Sequence, residues 1–115
     1  MILDSELFKE VVAAIGVDTC LVVIKMFQEQ SPVLVAGACN TTIDVKDRAE
    51  SLHALKGMAQ QLGLNHLSQI CCDAETAILS GTTTDTVIEL LSEVERTLSS
   101  SQHALKQEAI LLNIL

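Results

Sequence analysis

Val45, Leu52, Leu55, Ala59 and Leu62 recur three and four positions apart with one seven-residue step, the stretches around Leu67–Ile78 and Val87–Leu98 repeat at the same helical spacing, and no convincing strand pattern occurs. A helix gathers such residues on one face, whereas a half-buried strand needs a period of two. The chain is therefore constrained to pack helix on helix. Its breaks fall at residues that favour turns, so the elements can be laid out in order. Asp4 is expected to cap a first helix with Leu7, Val11, Val12 and Ile15 inward, stopping at Gly16. Asp18 is expected to cap a second helix that runs toward Cys39, with Leu21, Ile24, Phe27, Leu34 and Val35 on its apolar side. Pro32 inside it removes a backbone donor and predicts a kink rather than a split, because the apolar pattern resumes at once.

Asn40-Thr-Thr reads as a turn, and a third helix is expected from about Thr42 to Leu62. Its buried stripe is Val45, Leu52, Leu55, Ala59 and Leu62, and Gly63 is a natural stop. Asn65 is expected to cap a fourth helix to Leu79, burying Leu67, Ile70, Cys71, Ala74 and Ile78. After the Ser80-Gly81-Thr-Thr-Thr loop a last helix carries Val87, Leu90, Leu91, Val94, Leu98 and Leu105, with an apolar tail from Ala109 to Leu115. The fold class is all-α: an antiparallel four-helix bundle over about 18–112, with a short N-terminal helix over about 1–16 as a lid. Short connections favour antiparallel neighbours, and 115 residues suit one domain, 1–115.

Composition narrows the partners. The formal charge is −8 and the only aromatics are Phe8 and Phe27. No basic stripe can neutralise phosphates and no aromatics are free to stack on bases, so nucleic-acid binding is disfavoured. Cys20, Cys39, Cys71 and Cys72 form no C-x-x-C pair and fall mostly at apolar helical positions, as reduced core residues do. The N-terminus lacks a basic leader and no run approaches the ~20 apolar residues of a membrane span. The expected setting is cytoplasmic, without membrane insertion.

One face of the third helix does not fit a structural role. Lys46, Ala49, Glu50, His53, Lys56, Gly57 and Gln60 form a second stripe, polar and small, about a third of the circumference from the buried one. His53, Lys56 and Gly57 stand at i, i+3 and i+4 and so share one turn. A neutral imidazole is a competent nucleophile near pH 7. Lys56 can neutralise the charge of a phosphoryl group placed on it. Gly57 costs about 1 kcal/mol relative to Ala in a helix interior, and what it provides is a notch where a partner's backbone can approach. Gln60 adds a neutral hydrogen-bonding group one turn on.

The run His53-Ala-Leu-Lys-Gly, with Gly63 ten residues after the histidine, resembles the signature of the histidine-containing phosphotransfer (HPt) domain family. The resemblance extends over nearly the whole chain, through the order of helices and the Cys71-Cys-Asp-Ala-Glu75 run. It implies a four-helix bundle whose exposed histidine shuttles a phosphoryl group to and from receiver-domain aspartates. By position, His53 is similar to the phosphorylated histidine, Lys56 to the charge-compensating lysine and Gly57 to the access glycine. Glu75 resembles the place where many members carry a Glu or Gln facing the histidine, which would fix its tautomer. Met58-Ala-Gln departs from the small residues that often follow the glycine. The resemblance also implies a covalent carrier without its own substrate, cofactor or metal, magnesium being expected only on the partner. The expected partners are response-regulator receiver domains and a hybrid histidine kinase, the chain itself being a monomer.

His66 and His103 lack the setting of His53 and read as surface residues. Lys46, Arg48 and Glu50 are ordinarily solvated charges, although Lys46 and Glu50 border the proposed face. A docking surface is expected at Lys46, Ala49, Glu50, Gly57, Leu64 and parts of the second helix. His66 with Cys72 falls short of the four ligands that zinc takes, and the Glu-x-x-His ligands of di-metal bundles are missing. The alternative function is a four-helix adaptor that binds a receiver or kinase without accepting phosphate.

Overall fold

The computed structural model describes residues 2–114 and forms five helices: α1 (Ser5–Ile15), α2 (Val17–Cys39), α3 (Val45–Gln61), α4 (Asn65–Leu79) and α5 (Thr84–Leu111). No strand occurs among the described residues, and no helix there is long and apolar enough to cross a membrane. Met1 and Leu115, the outermost residues of the expected ranges, lie outside the described residues.

Helices α2 to α5 close a ring in which each packs on the next and α5 returns to α2. Cross-links fix the directions. Arg48 of α3 donates from Nε to the Ala38 carbonyl at 2.8 Å, near one end, while Met58 and Phe27 line one depression nearer the other. Likewise Cys39 of α2 donates to Glu95 of α5, and Gln102 donates to Ser31 at 3.2 Å. Both pairs run in opposite sequence directions, so the neighbours are antiparallel. At 28 residues α5 spans about 42 Å, which sets the 44 Å long dimension of the molecule.

The local chemistry explains the boundaries. Asp4 caps α1, its Oδ1 accepting from the Leu7 N–H at 3.1 Å, and Gly16, with φ +84°, ends it while opening α2. Asp18 therefore sits in the first turn of α2 rather than at its cap. Helix α2 runs unbroken through Pro32, although the Gln28 carbonyl has no donor there. Helix α3 begins three residues later than expected. The Asn40 side chain accepts from both the backbone N–H and the hydroxyl of Thr42, at 3.0 and 2.6 Å, and holds that residue in a turn. Val45, expected in the core, is exposed in the first helical turn, and Asn65 opens α4 without capping it.

The core runs the length of the ring. Phe27 and Ile24 from α2 meet Leu52 and Leu55 from α3, Leu67 and Cys71 from α4, and Val94 and Leu105 from α5. Phe8 joins it from α1, fully buried. The start of α1 is strapped to the α3–α4 turn, the Asp4 N–H donating to the Gly63 carbonyl at 2.8 Å. Gly63 carries φ +76° there, and a Cβ on it would lie 3.0 Å from the Asp4 carbonyl oxygen. At the other terminus Asn113, φ +60°, folds the tail back so that Ile114 is buried, while Ile110 and Leu111 stay exposed.

Candidate functional site

The stripe Leu52, Leu55, Ala59 and Leu62 is fully buried and fixes the rotation of α3. His53, one residue or about 100° round from Leu52, is thereby turned outward, its side chain 67% exposed. Three and four residues on, Lys56 and Gly57 follow on the same turn. Helix α4 is held against this face by the three-residue turn 62–64, and the antiparallel register brings Glu75 level with His53.

Glu75 bridges the other two side chains. Its Oε2 stands 3.2 Å from His53 Nδ1 and its Oε1 3.5 Å from Lys56 Nζ. Lys56 and Glu75 are sunk in the seam, at 22% and 17% exposure, so one carboxylate anchors both partners close to the surface. An ionised carboxylate only accepts, so a hydrogen bond from the ring to Glu75 would require the proton on Nδ1. The lone pair is then on Nε2. A histidine, a lysine and a glutamate thus share one patch.

Gly57 is not demanded by packing. A Cβ there would meet nothing within 4 Å. Gly37 contrasts with it: its Cβ would come within 2.9 Å of Ser51 Oγ, where α2 approaches α3 closely. The glycine beside His53 therefore leaves open space that none of the described residues fills. Gln60, Lys46 and Glu50 are exposed along α3.

Two expected docking residues are corrected by burial. Ala49 is 2% exposed, because it lies seven residues from Lys56 on the flank of α3 that meets α4. Leu64 is fully buried, because the left-handed turn at Gly63 drives it inward, where its N–H donates to the Ala59 carbonyl. Neither presents a surface to a partner.

The cysteines are free thiols. Cys71, one turn before Glu75 and fully buried, is pushed up to about 12, first by burial and then by the Glu75 carboxylate and Cys72. Burial likewise raises Cys20 and Cys39, with the Glu95 carboxylate adding to the effect on Cys39. They remain neutral packing groups. His66 and His103 are exposed on α4 and α5. No three His, Cys, Asp or Glu side chains among the described residues are grouped to hold a metal ion. Arg48, read as a solvated charge, instead satisfies a last-turn carbonyl of α2. Only the chain's three-dimensional register reveals that contact.

A family model described as the Hpt domain covers residues 22–113, most of the chain and all of the patch above. No curated protein and no solved structure matches it.

Proposed function

The chain belongs to the Hpt domain family, and from that premise we propose that it is a phosphorelay intermediate that carries its phosphoryl group on His53. Hpt domains are phosphocarrier modules of two-component signalling that interact with receiver domains and kinases. The observation that supports His53 as the acceptor is the bridge made by Glu75, which stands at Nδ1 of an imidazole whose side chain is 67% exposed.

In the forward step the Nε2 lone pair attacks the phosphorus of a receiver's aspartyl phosphate. The Nε2–P bond forms as the P–O bond to the aspartate breaks, and the carboxylate leaves on the receiver. The ring keeps its Nδ1 proton and becomes a phosphoimidazolium, whose positive charge faces Glu75. Lys56, already held within the seam, can turn its ammonium to the phosphoryl oxygens. The reverse step gives the group to another receiver, with the aspartate oxygen attacking and Nε2 leaving. Such loose transition states depend on positioning and charge stabilisation. Both fit a carrier that adds no substrate chemistry of its own, magnesium being left to the receiver.

Gly57 gives the receiver's active-site loop room beside the imidazole, with Gln60, Lys46 and Glu50 at the rim. The test is incubation with the host's receiver domains, each phosphorylated by acetyl phosphate. A label on this chain that is acid-labile and alkali-stable, as phosphohistidine is, supports the reading. Receiver binding without any label selects the non-phosphorylated adaptor instead.

A further inference from the structure

The Hpt match begins at residue 22, after α1 and the first turn of α2. The segment ahead of it is nonetheless built into the bundle. Ile2 borders a depression shared with His66 of α4 and Arg96 of α5, and Phe8 is fully buried in the common core. Between them Asp4 is tied twice through its backbone. Its N–H donates to the Gly63 carbonyl at 2.8 Å, and its own carbonyl accepts from the Phe8 N–H at 3.0 Å. The Asp4 side chain caps α1 at Leu7, whose side chain lies 3.6 Å from where a Cβ on Gly63 would stand.

Gly63 belongs to the turn that sets α3 against α4. On the α3 side two bonds hold it, from the Gly63 N–H to the Gln60 carbonyl at 3.2 Å and from the Leu64 N–H to the Ala59 carbonyl at 2.9 Å. The Gly63 carbonyl faces the other way and goes to Asp4. Among the described residues, this is the hydrogen bond that ties the turn to a part of the chain outside α3 and α4. His53 stands ten residues before Gly63, about 15 Å along α3. The 3.2 Å contact between Glu75 and His53 Nδ1 is already at the long limit for a nitrogen–oxygen hydrogen bond. A slip of about half an ångström between α3 and α4 breaks it.

From this chain of contacts we infer that Asp4 is a positioning residue for phosphoryl transfer. By clasping the α3–α4 turn from outside, it holds the register in which Glu75 meets His53. The inference rests on the phosphorelay reading and deepens it, adding a residue outside the matched region to the support of the site. Asp4 touches neither His53 nor its phosphoryl group, so its effect runs through Glu75. A misplacement of about 1 Å by a remote mutation costs up to about 10²-fold in rate. Loss of the strap leaves the two bonds within the turn intact, so it should cost part of what loss of Glu75 costs.

The experiment compares Asp4→Pro with Asp4→Ala in the full chain, each alone and combined with Glu75→Gln. Both variants lose the cap of α1, and only proline also deletes the N–H of the strap, so their difference isolates it. The Asp4 φ of −84° is close to what proline adopts. Phosphoramidate, a small donor that needs no docking, transfers its phosphoryl group to the imidazole and leaves as ammonia. The label is mapped to His53 by peptide analysis, circular dichroism checks helical content, and nitrogen-15 NMR reads the His53 tautomer. Asp4→Pro should label about threefold or more slowly than Asp4→Ala, with the Nδ1–H form of His53 depopulated. Combined with Glu75→Gln, the two should label alike, because the partner through which the strap acts is gone. Equal rates and tautomers in folded Asp4→Pro and Asp4→Ala overturn the inference. So does a difference that persists undiminished beside Glu75→Gln, which makes the strap a general support of the fold. If Asp4→Pro does not fold, Gly63→Ala, whose Cβ presses on the Asp4 carbonyl, is compared with wild type under the same two criteria. Failure of every receiver to label wild-type His53 overturns the phosphorelay reading itself, whereas the phosphoramidate comparison still decides the strap.

Discussion

Glu75 of α4 holds its carboxylate 3.2 Å from Nδ1 of His53 across the seam between two antiparallel helices. The same carboxylate lies 3.5 Å from Lys56, so it can set the tautomer of the ring and the position of the cation together. Glu75→Gln removes the negative charge at nearly constant shape. Phosphorylation of His53 should slow roughly tenfold or more, toward the 10²-fold typical of losing a positioned acid–base group. Nitrogen-15 NMR should show the Nδ1–H form of His53 losing population. An unaltered tautomer ratio would detach Glu75 from this role.

Lys56 should matter to the phosphoryl group more than to the fold. Its ammonium is held by Glu75 at the surface seam. Lys56→Gln should slow transfer about tenfold while leaving the melting temperature within a few degrees, since partly exposed ion pairs contribute about 0–1 kcal/mol. Transfer kinetics and a thermal melt on the same preparation check both halves.

Gly57 and Gly63 should respond in opposite ways to alanine. A Cβ at Gly57 meets open space, so Gly57→Ala should stabilise the domain by up to about 1 kcal/mol. It should slow transfer from a receiver, because the methyl group fills the notch beside His53. At Gly63 the backbone has φ +76° and a Cβ would press on the Asp4 carbonyl. Gly63→Ala should therefore destabilise, by about 1–2 kcal/mol for the left-handed conformation alone. Denaturant titration of the two variants separates the effects.

Cys71 provides a pH signature. Its thiol ionises at about 12 in the folded chain, against 9.0 for an ordinary thiol. Below pH 9 both folded and unfolded states keep the proton, and stability is unaffected. Above it the unfolded state releases its proton first, so stability falls as pH rises toward 12, by about 1.4 kcal/mol per unit. The slope of unfolding free energy between pH 9 and 11 should be shallower in Cys71→Ala by about that amount. Iodoacetamide should also fail to modify Cys71 in the native protein at pH 8.

Much of the bundle could be read from residue spacing, and the parts that could not are physically distinct. The span Asn65–Leu79 and the start of α5 at Thr84 agree with the sequence reading, because Gly63 and the Ser80–Thr84 loop punctuate them clearly. Local side-chain chemistry moved the start of α3, where Asn40 captured Thr42. Phe8 does not stand out in the spacing, because Leu7, Val11 and Val12 already satisfy the helical pattern, yet Phe8 is the fully buried residue of α1. Ala49 and Leu64 were misplaced for another reason. Burial of a small residue on the flank of a stripe depends on where the neighbouring helix lies, and one sequence does not display that. The same dependence made Glu75 an expectation drawn from resemblance. Its contact with His53 needs the register of α3 against α4, which the short turn at Gly63 enforces.

The central claim concerns one nitrogen on one histidine. The most direct measurement is radiolabel transfer from a phosphorylated receiver to the wild-type domain and to His53→Gln, with His66→Ala as the control for a second imidazole. The expected result is an acid-labile label on wild type and on His66→Ala, and none on His53→Gln. A label that survives His53→Gln unchanged, or is lost on His66→Ala instead, would contradict it.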